Sequence, residues 1–272
     1  MPTAKVGDVN IYYESQGEGE PVLLIQGYGA YSGHWASQIP SFSQEYRVIS
    51  FDNRGTGRSD KPRMPYTMKM MADDAKGVLD AVGVSSAHVF GVSMGGMIAQ
   101  EFALNYPDKV RSLILGCTFC GGARAIPPTP EALAFLTSPE MAKLSVEERA
   151  RVAVPWLWTQ EFIDKNPEAV ELYVAINSKY PTPPHGFACQ AQAIAFHDTY
   201  ERLSQIKAPT LVIVGDADRI IPAENSRILA SRIPNAELVI LENAGHDFFV
   251  EAAAECNRAI LDFLRRHSKD KK

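Results

Sequence analysis

Six short runs of apolar residues, at 22–25, 48–51, 88–90, 110–115, 210–214 and 238–241, constrain this chain more than any other feature. None alternates apolar with polar positions. A strand with one wet face alternates, whereas a strand covered on both faces reads as a continuous, β-branched run. Helical patterns separate the runs. They lie at 73–82, at 94–106, at 224–233 and at 251–266. In the second, Ile98 and Phe102, and Ala99 and Ala103, stand four apart, and Pro107 ends the pattern. In the last, Cys256, Ile260, Phe263 and Leu264 share one stripe. Strand alternating with helix predicts an α/β fold with a mainly parallel, doubly wound sheet. A hairpin precedes it, with Gly7-Asp8 between Val6 and Val9 and the second strand continuing through 10–14.

The alternation fails from 121 to 203. Pro127, Pro128 and Pro130 open this stretch, Pro181, Pro183 and Pro184 break it, and it holds helix-like runs but no convincing strand. An insertion of this size between two late strands of a buried sheet has to lie beyond the strand ends. Ligands bind at the carboxyl ends of such strands. The expected organisation is therefore a main domain at 1–120 and 204–272 with a helical lid at 121–203.

Composition excludes several classes. With 272 residues, 46% of them hydrophobic and 22% charged, the chain can bury a core without staples. The net charge is −5, and the only basic cluster is Arg265, Arg266, Lys269, Lys271 and Lys272. Behind an acidic body this reads as a solvated helix end, so no nucleic-acid partner is expected. No run approaches the roughly 18 apolar residues a membrane span needs, so no membrane partner is expected either. Residues 1–9 hold no apolar segment of signal-peptide type, which predicts a cytoplasmic location. There Cys117, Cys120, Cys189 and Cys256 are expected as free thiols. Cys117 and Cys120 form a CxxC with no second ligand pair, and they read as small apolar fillers near a strand end.

The chemistry is concentrated at Gly91-Val-Ser93-Met-Gly95-Gly96, between an apolar run and an amphipathic helix. A G-x-S-x-G in that setting forces a sharp turn that lifts the serine hydroxyl above the sheet, with a helix N-terminus aimed at it. The neutral alternative is an ordinary glycine turn. A serine nucleophile needs a base and the base an orienting acid. The run at 210–214 ends in Gly215-Asp216-Ala-Asp218, and the run at 238–241 leads to Gly245-His246. The order Ser, Asp, His follows, with Asp216 and Asp218 both in place to be the acid. His34, His88, His185, His197 and His267 read as structural or solvated. Two backbone N–H groups should form an oxyanion hole: that of Met94, and one from the loop Gln26-Gly27-Tyr28-Gly29.

These segments, with Asp52-Asn-Arg54-Gly55-Thr-Gly57-Arg-Ser59, resemble the α/β-hydrolase superfamily, and within it the small-lid group of enol-lactonases, esterases and cofactor-free haloperoxidases. The matching pieces span residues 22–246. The resemblance implies Asp218 rather than Asp216 as the acid, Tyr28 as the second oxyanion donor, and a structural role for 52–59. One departure stands out: Gln26-Gly27 replaces the usual His-Gly, which leaves the bracing of that loop open. Ser93 separates the chain from relatives with an aspartate nucleophile. The expected function is hydrolysis of a small, largely apolar ester or lactone through an acyl-enzyme, with no metal or organic cofactor. The alternatives are a receptor that binds a small lactone with little turnover, and perhydrolysis by the same triad. Gly95-Gly96 looks more like the turnover enzymes. Within the lid, Trp156, Trp158 and Phe162 are expected to contact substrate. Arg124, Arg149, Arg151, Lys165 and Lys179 would instead serve a substrate carboxylate. The neutral substrate ranks first.

Overall fold

The computed structural model describes residues 2–268. In chain order its elements begin with β1 (Thr3–Val6), β2 (Val9–Gln16), β3 (Pro21–Ile25), α1 (Ile39–Phe42), β4 (Arg47–Phe51), α2 (Met68–Ala81), β5 (Ala87–Val92), α3 (Met94–Asn105) and β6 (Val110–Gly116). Five α-helices follow: α4 (Pro130–Leu136), α5 (Val146–Leu157), α6 (Gln160–Lys165), α7 (Pro167–Lys179) and α8 (Pro184–Ala195). The chain then returns through β7 (Thr210–Gly215), α9 (Ala223–Arg232), β8 (Glu237–Leu241), α10 (Phe248–Glu251) and α11 (Ala253–His267).

The eight strands form one sheet in the order β1-β2-β4-β3-β5-β6-β7-β8. Only the β1–β2 and β2–β4 pairings are antiparallel. Val6 pairs with Val9, so Gly7-Asp8 makes the expected two-residue turn. The continuous apolar runs are explained by burial on both faces. Along β3, Leu23 and Ile25 join the core under α2, α3 and α9, while Val22 and Leu24 join the core under α1 and α11. β8 is the exception: it is an edge strand, and four of its five residues are only partly buried.

The chain goes from β3 to β4 on one side and then crosses to β5 on the other. That reversal opens a crevice at the carboxyl ends of β3 and β5, the place where doubly wound sheets bind ligands. The turns after these two strands are Gln26–Gly29 and the serine elbow.

Helix bounds differ from the periodicity by more than one residue in two places. α2 starts five residues early because the Thr67 side chain accepts from the Met70 N–H, a cap that does not depend on the apolar stripe. The last helical stretch is divided at Ala252 into α10 and α11. Between β6 and β7 the regular structure is helical, and a bridge joins Gly121 to Asp198. Cys117 and Cys120 are buried and free. Arg265 and Arg266 pair with Glu45, Asp262 and Glu237 on the surface. Lys269, Lys271 and Lys272 lie outside the described residues. Among the described residues no helix is long and apolar enough to cross a membrane.

Candidate active site

Ser93 sits between β5 and α3 with φ 55° and ψ −123°. That conformation costs a non-glycine residue roughly 1–3 kcal/mol, and it persists only where the surroundings hold it. Here the Ser93 N–H donates to the Gly116 carbonyl at 2.8 Å, and the Thr118 hydroxyl donates to the Ser93 carbonyl at 2.7 Å. Two glycines make the turn possible. A Cβ at Gly91 would overlap the Gly95 carbonyl, and one at Gly95 would overlap the Ile25 carbonyl. The first turn of α3 therefore lies directly on the end of β3.

The loop after β3 runs alongside. A Cβ on Gly27 would stand 3.6 Å from Ser93 Oγ, so the backbone of Gln26–Tyr28 is within reach of anything bound to the hydroxyl. Neither the Tyr28 nor the Met94 N–H donates to a protein acceptor among the described residues. This is the condition for two donors held ready for an oxyanion, each worth about a hundredfold or more in rate. The bracing left open by Gln26 is also resolved. Gln26 Oε1 accepts from the Gly27 N–H at 3.1 Å, and its carbonyl accepts from Asn53 Nδ2 at 2.8 Å. The helical insertion supplies the rest. Gly29 N–H donates to Gln190 Oε1 at 2.9 Å, and the Thr182 hydroxyl donates to the Gly29 carbonyl at 2.9 Å. Nothing local in the sequence signals Gln190 or Thr182, since each acts over more than 150 residues.

His246 donates from Nδ1 to Asp218 Oδ2 at 2.7 Å. Asp218 is held by its other oxygen, which accepts from the Ile220 and Ile221 N–H groups at 2.9 and 2.8 Å. Asp216 is exposed. The structure thus brings Asp218, and not Asp216, to His246. Burial disfavours the imidazolium, but the Asp218 carboxylate, by charge and hydrogen bond, and the neighbouring Asp247 outweigh it, so the His246 pKa is raised from 6.5.

Ser93 and His246 line one cavity of about 460 Å³ together with Gln26, Gly27 and Tyr28. Its outer wall comes from the insertion: Phe135 and Leu136 of α4, Arg149, Ala153 and Leu157 of α5, Tyr173 and Asn177 of α7, and Phe187 of α8. The insertion is also tied to the histidine loop. The Leu157 carbonyl accepts from the Asp247 N–H at 3.0 Å. Glu251 accepts from Gly245 N–H at 2.7 Å and from Thr159 N–H at 3.0 Å.

The three aromatics expected to touch substrate take other places. None of them lines the cavity that holds Ser93. Trp156 stacks on Phe135 at 5.0 Å and lies under the Arg219 guanidinium. Trp158 is buried and packs edge-on against Phe162 and Tyr173. The reason is local. α5 ends at Leu157, and Trp158 turns to extended backbone, so helical spacing no longer governs its ring; Leu157 reaches the cavity instead. Of the five cations considered for a substrate carboxylate, only Arg149 lines it. Arg151 and Lys165 pair with Glu171 and Glu161 on the surface. His34, read from sequence as structural or solvated, also lines the cavity, and burial pushes its pKa down to about 4, so it is neutral there.

The model of the alpha/beta hydrolase fold family matches residues 20–253. The chain belongs to that family. Among α/β-hydrolases it is 31% identical, over 97% of its length and 98% of the relative's, to an Azorhizobium caulinodans protein provisionally named a carbamate hydrolase. A solved N-acyl homoserine lactone degrading enzyme is 32% identical with a TM-score of 0.84, covering 96% of this chain and 100% of that one. A thermophilic esterase from Thermogutta terrifontis is 31% identical with a TM-score of 0.81, covering 98% of both chains. The family and these relatives support hydrolase activity for this chain as well as the fold.

For an α/β-hydrolase with this histidine the pH dependence has a fixed sign. If His246 is the base it works only when neutral, so kcat/KM should rise with pH through an apparent pKa above the ordinary 6.5. A pH profile from about 5 to 9 checks this. An inflection well below 6.5, or a flat profile, would assign the base to another group.

Proposed function

We propose that this hydrolase cleaves small, largely apolar carboxylic esters or lactones through an acyl-enzyme on Ser93. The observation that carries the reading is the Asp218–His246 pair opening onto the same, mostly apolar cavity as Ser93. With Nδ1 committed to Asp218, Nε2 is the nitrogen that takes the Ser93 proton and returns it to the leaving group. The Tyr28 and Met94 N–H groups receive the oxyanion. Water then repeats the sequence on the acyl-serine. Residues 121–203 act as the lid, because they furnish the wall opposite the serine. The likeness to a lactone-degrading enzyme and an esterase supports the same substrate class.

Arg149 favours a second reading, an anionic lactone held by its carboxylate, since it is the one insertion cation at the cavity. A panel of p-nitrophenyl esters and simple lactones, graded by chain length and charge and followed over many turnovers, separates the readings. Neutral short-chain substrates are expected to turn over repeatedly and fastest. Anionic lactones outpacing them would move the assignment to the Arg149 reading. A stop after about one equivalent of product would make the chain a receptor.

A further inference from the structure

Asp247 follows His246 and lines the same cavity. Its backbone is fully engaged: the N–H donates to Leu157, and the carbonyl accepts from Val250 and Glu251. Its carboxylate is therefore the polar group left without a protein partner, at a residue shared by the Ser93 cavity and a smaller one beside Trp158 and Tyr173. No protein group among the described residues donates to that carboxylate, and in this it differs from the acids around it. Asp218 has three donors, Glu251 is held by Gly245 and Thr159, and Asp52 by Ser32 and Arg58.

Asp247 is only partly buried, and once a ligand fills the site and excludes solvent, a carboxylate left without a donor there would cost free energy. The groups facing it do not donate to it in the structure and, His246 apart, carry no positive charge near neutral pH. His246 is committed through Nδ1 to Asp218, and Asp218 and Glu251 are themselves acidic. Tyr173 on α7 and Cys117 after β6 are kept protonated by burial, and His34 is neutral. Burial, reinforced by Asp218 and Glu251 against the pull of His246, pushes the Asp247 pKa up to about 6.

We propose that Asp247 is a specificity-determining residue, accepting a hydrogen bond from a neutral donor, a hydroxyl or an amide N–H, carried by the substrate beside His246. The inference rests on the serine-hydrolase reading and narrows it to esters or lactones bearing such a donor. An ammonium group fits less well, because the apolar walls would have to desolvate it. A substrate carboxylate is repelled by Asp247 near neutral pH.

The test compares p-nitrophenyl esters of hydroxyacyl chains with their O-methyl ethers, the hydroxyl being moved along the chain. The wild type should prefer the hydroxyl member at one position by roughly tenfold to a hundredfold in kcat/KM, mainly through KM. Asp247→Leu should bring that ratio close to one and Asp247→Asn should reduce it. Reading the ratio cancels any general loss of activity, and the Asn variant serves if the Leu variant fails to fold. A second readout is the pH profile: Asp247→Asn removes a negative charge beside His246 and should lower the apparent pKa. A ratio near one in the wild type at every position, or a ratio unchanged in both variants, overturns the inference while leaving the hydrolase reading intact. Failure of that reading looks different, with no ester turned over by the wild type at all.

Discussion

Ser93→Ala is expected to lower kcat by roughly four to six powers of ten while leaving the fold in place. The size of the loss follows from the division of labour. Without the hydroxyl no acyl-enzyme forms, and the residual rate comes from the oxyanion donors and substrate binding alone. The fold should survive because Ser93 Oγ makes no hydrogen bond to protein among the described residues. The turn itself is held by backbone bonds to Gly116 and by the Thr118 hydroxyl. Alanine also tolerates φ 55° no worse than serine does. The melting transition should therefore shift by no more than about 0.5 kcal/mol in stability. Steady-state kinetics and thermal denaturation of the same preparation check both halves. Activity within about tenfold of wild type would remove Ser93 from the mechanism.

Asp218→Asn should cost about four powers of ten, and Asp216→Asn almost nothing. The introduced asparagine would keep its carbonyl oxygen on the Ile220 and Ile221 N–H groups, so its NH2 would take the place of Oδ2. That amide donates to His246 Nδ1 where the carboxylate had accepted. The imidazole is then driven to the tautomer protonated at Nε2, which cannot take the serine proton. The geometry stays and the chemistry stops. Asp216, exposed on the same loop, touches none of this. Similar losses in the two variants, or a larger one at Asp216, would contradict the assignment.

The parts legible in the sequence are those specified locally. A run buried on both faces is mostly apolar and does not alternate, so β3 to β7 can be read directly despite buried polar residues such as His88 and Ser112, and the two-residue turn at Gly7-Asp8 as well. The elbow is legible because a serine forced to φ 55° needs small residues at Gly91 and Gly95. The Ser-Asp-His order is legible because each residue follows its own strand; resemblance is needed to choose between Asp216 and Asp218. What escapes depends on distant parts of the chain. The bracing of Gly29 by Thr182 and Gln190 is a contact between a sheet loop and the insertion. The misplaced aromatics have a related cause. An aromatic in the insertion need not face the cavity: the helix ends between Trp156 and Trp158, and their rings are taken up by Phe135, Phe162 and Tyr173. Asp247 carries no motif. Its significance depends on which neighbours fail to donate to it, and only the folded arrangement fixes that.

The decisive measurement is a rapid quench of the wild type with a p-nitrophenyl ester that it turns over, followed by mass spectrometry of its peptides. A burst of p-nitrophenol approaching one equivalent is expected, with the acyl mass on the peptide containing Ser93, at Ser93 itself. The label should be absent from Ser93→Ala. Turnover without any acylated peptide, or an acyl group on a different residue, would contradict the acyl-enzyme mechanism.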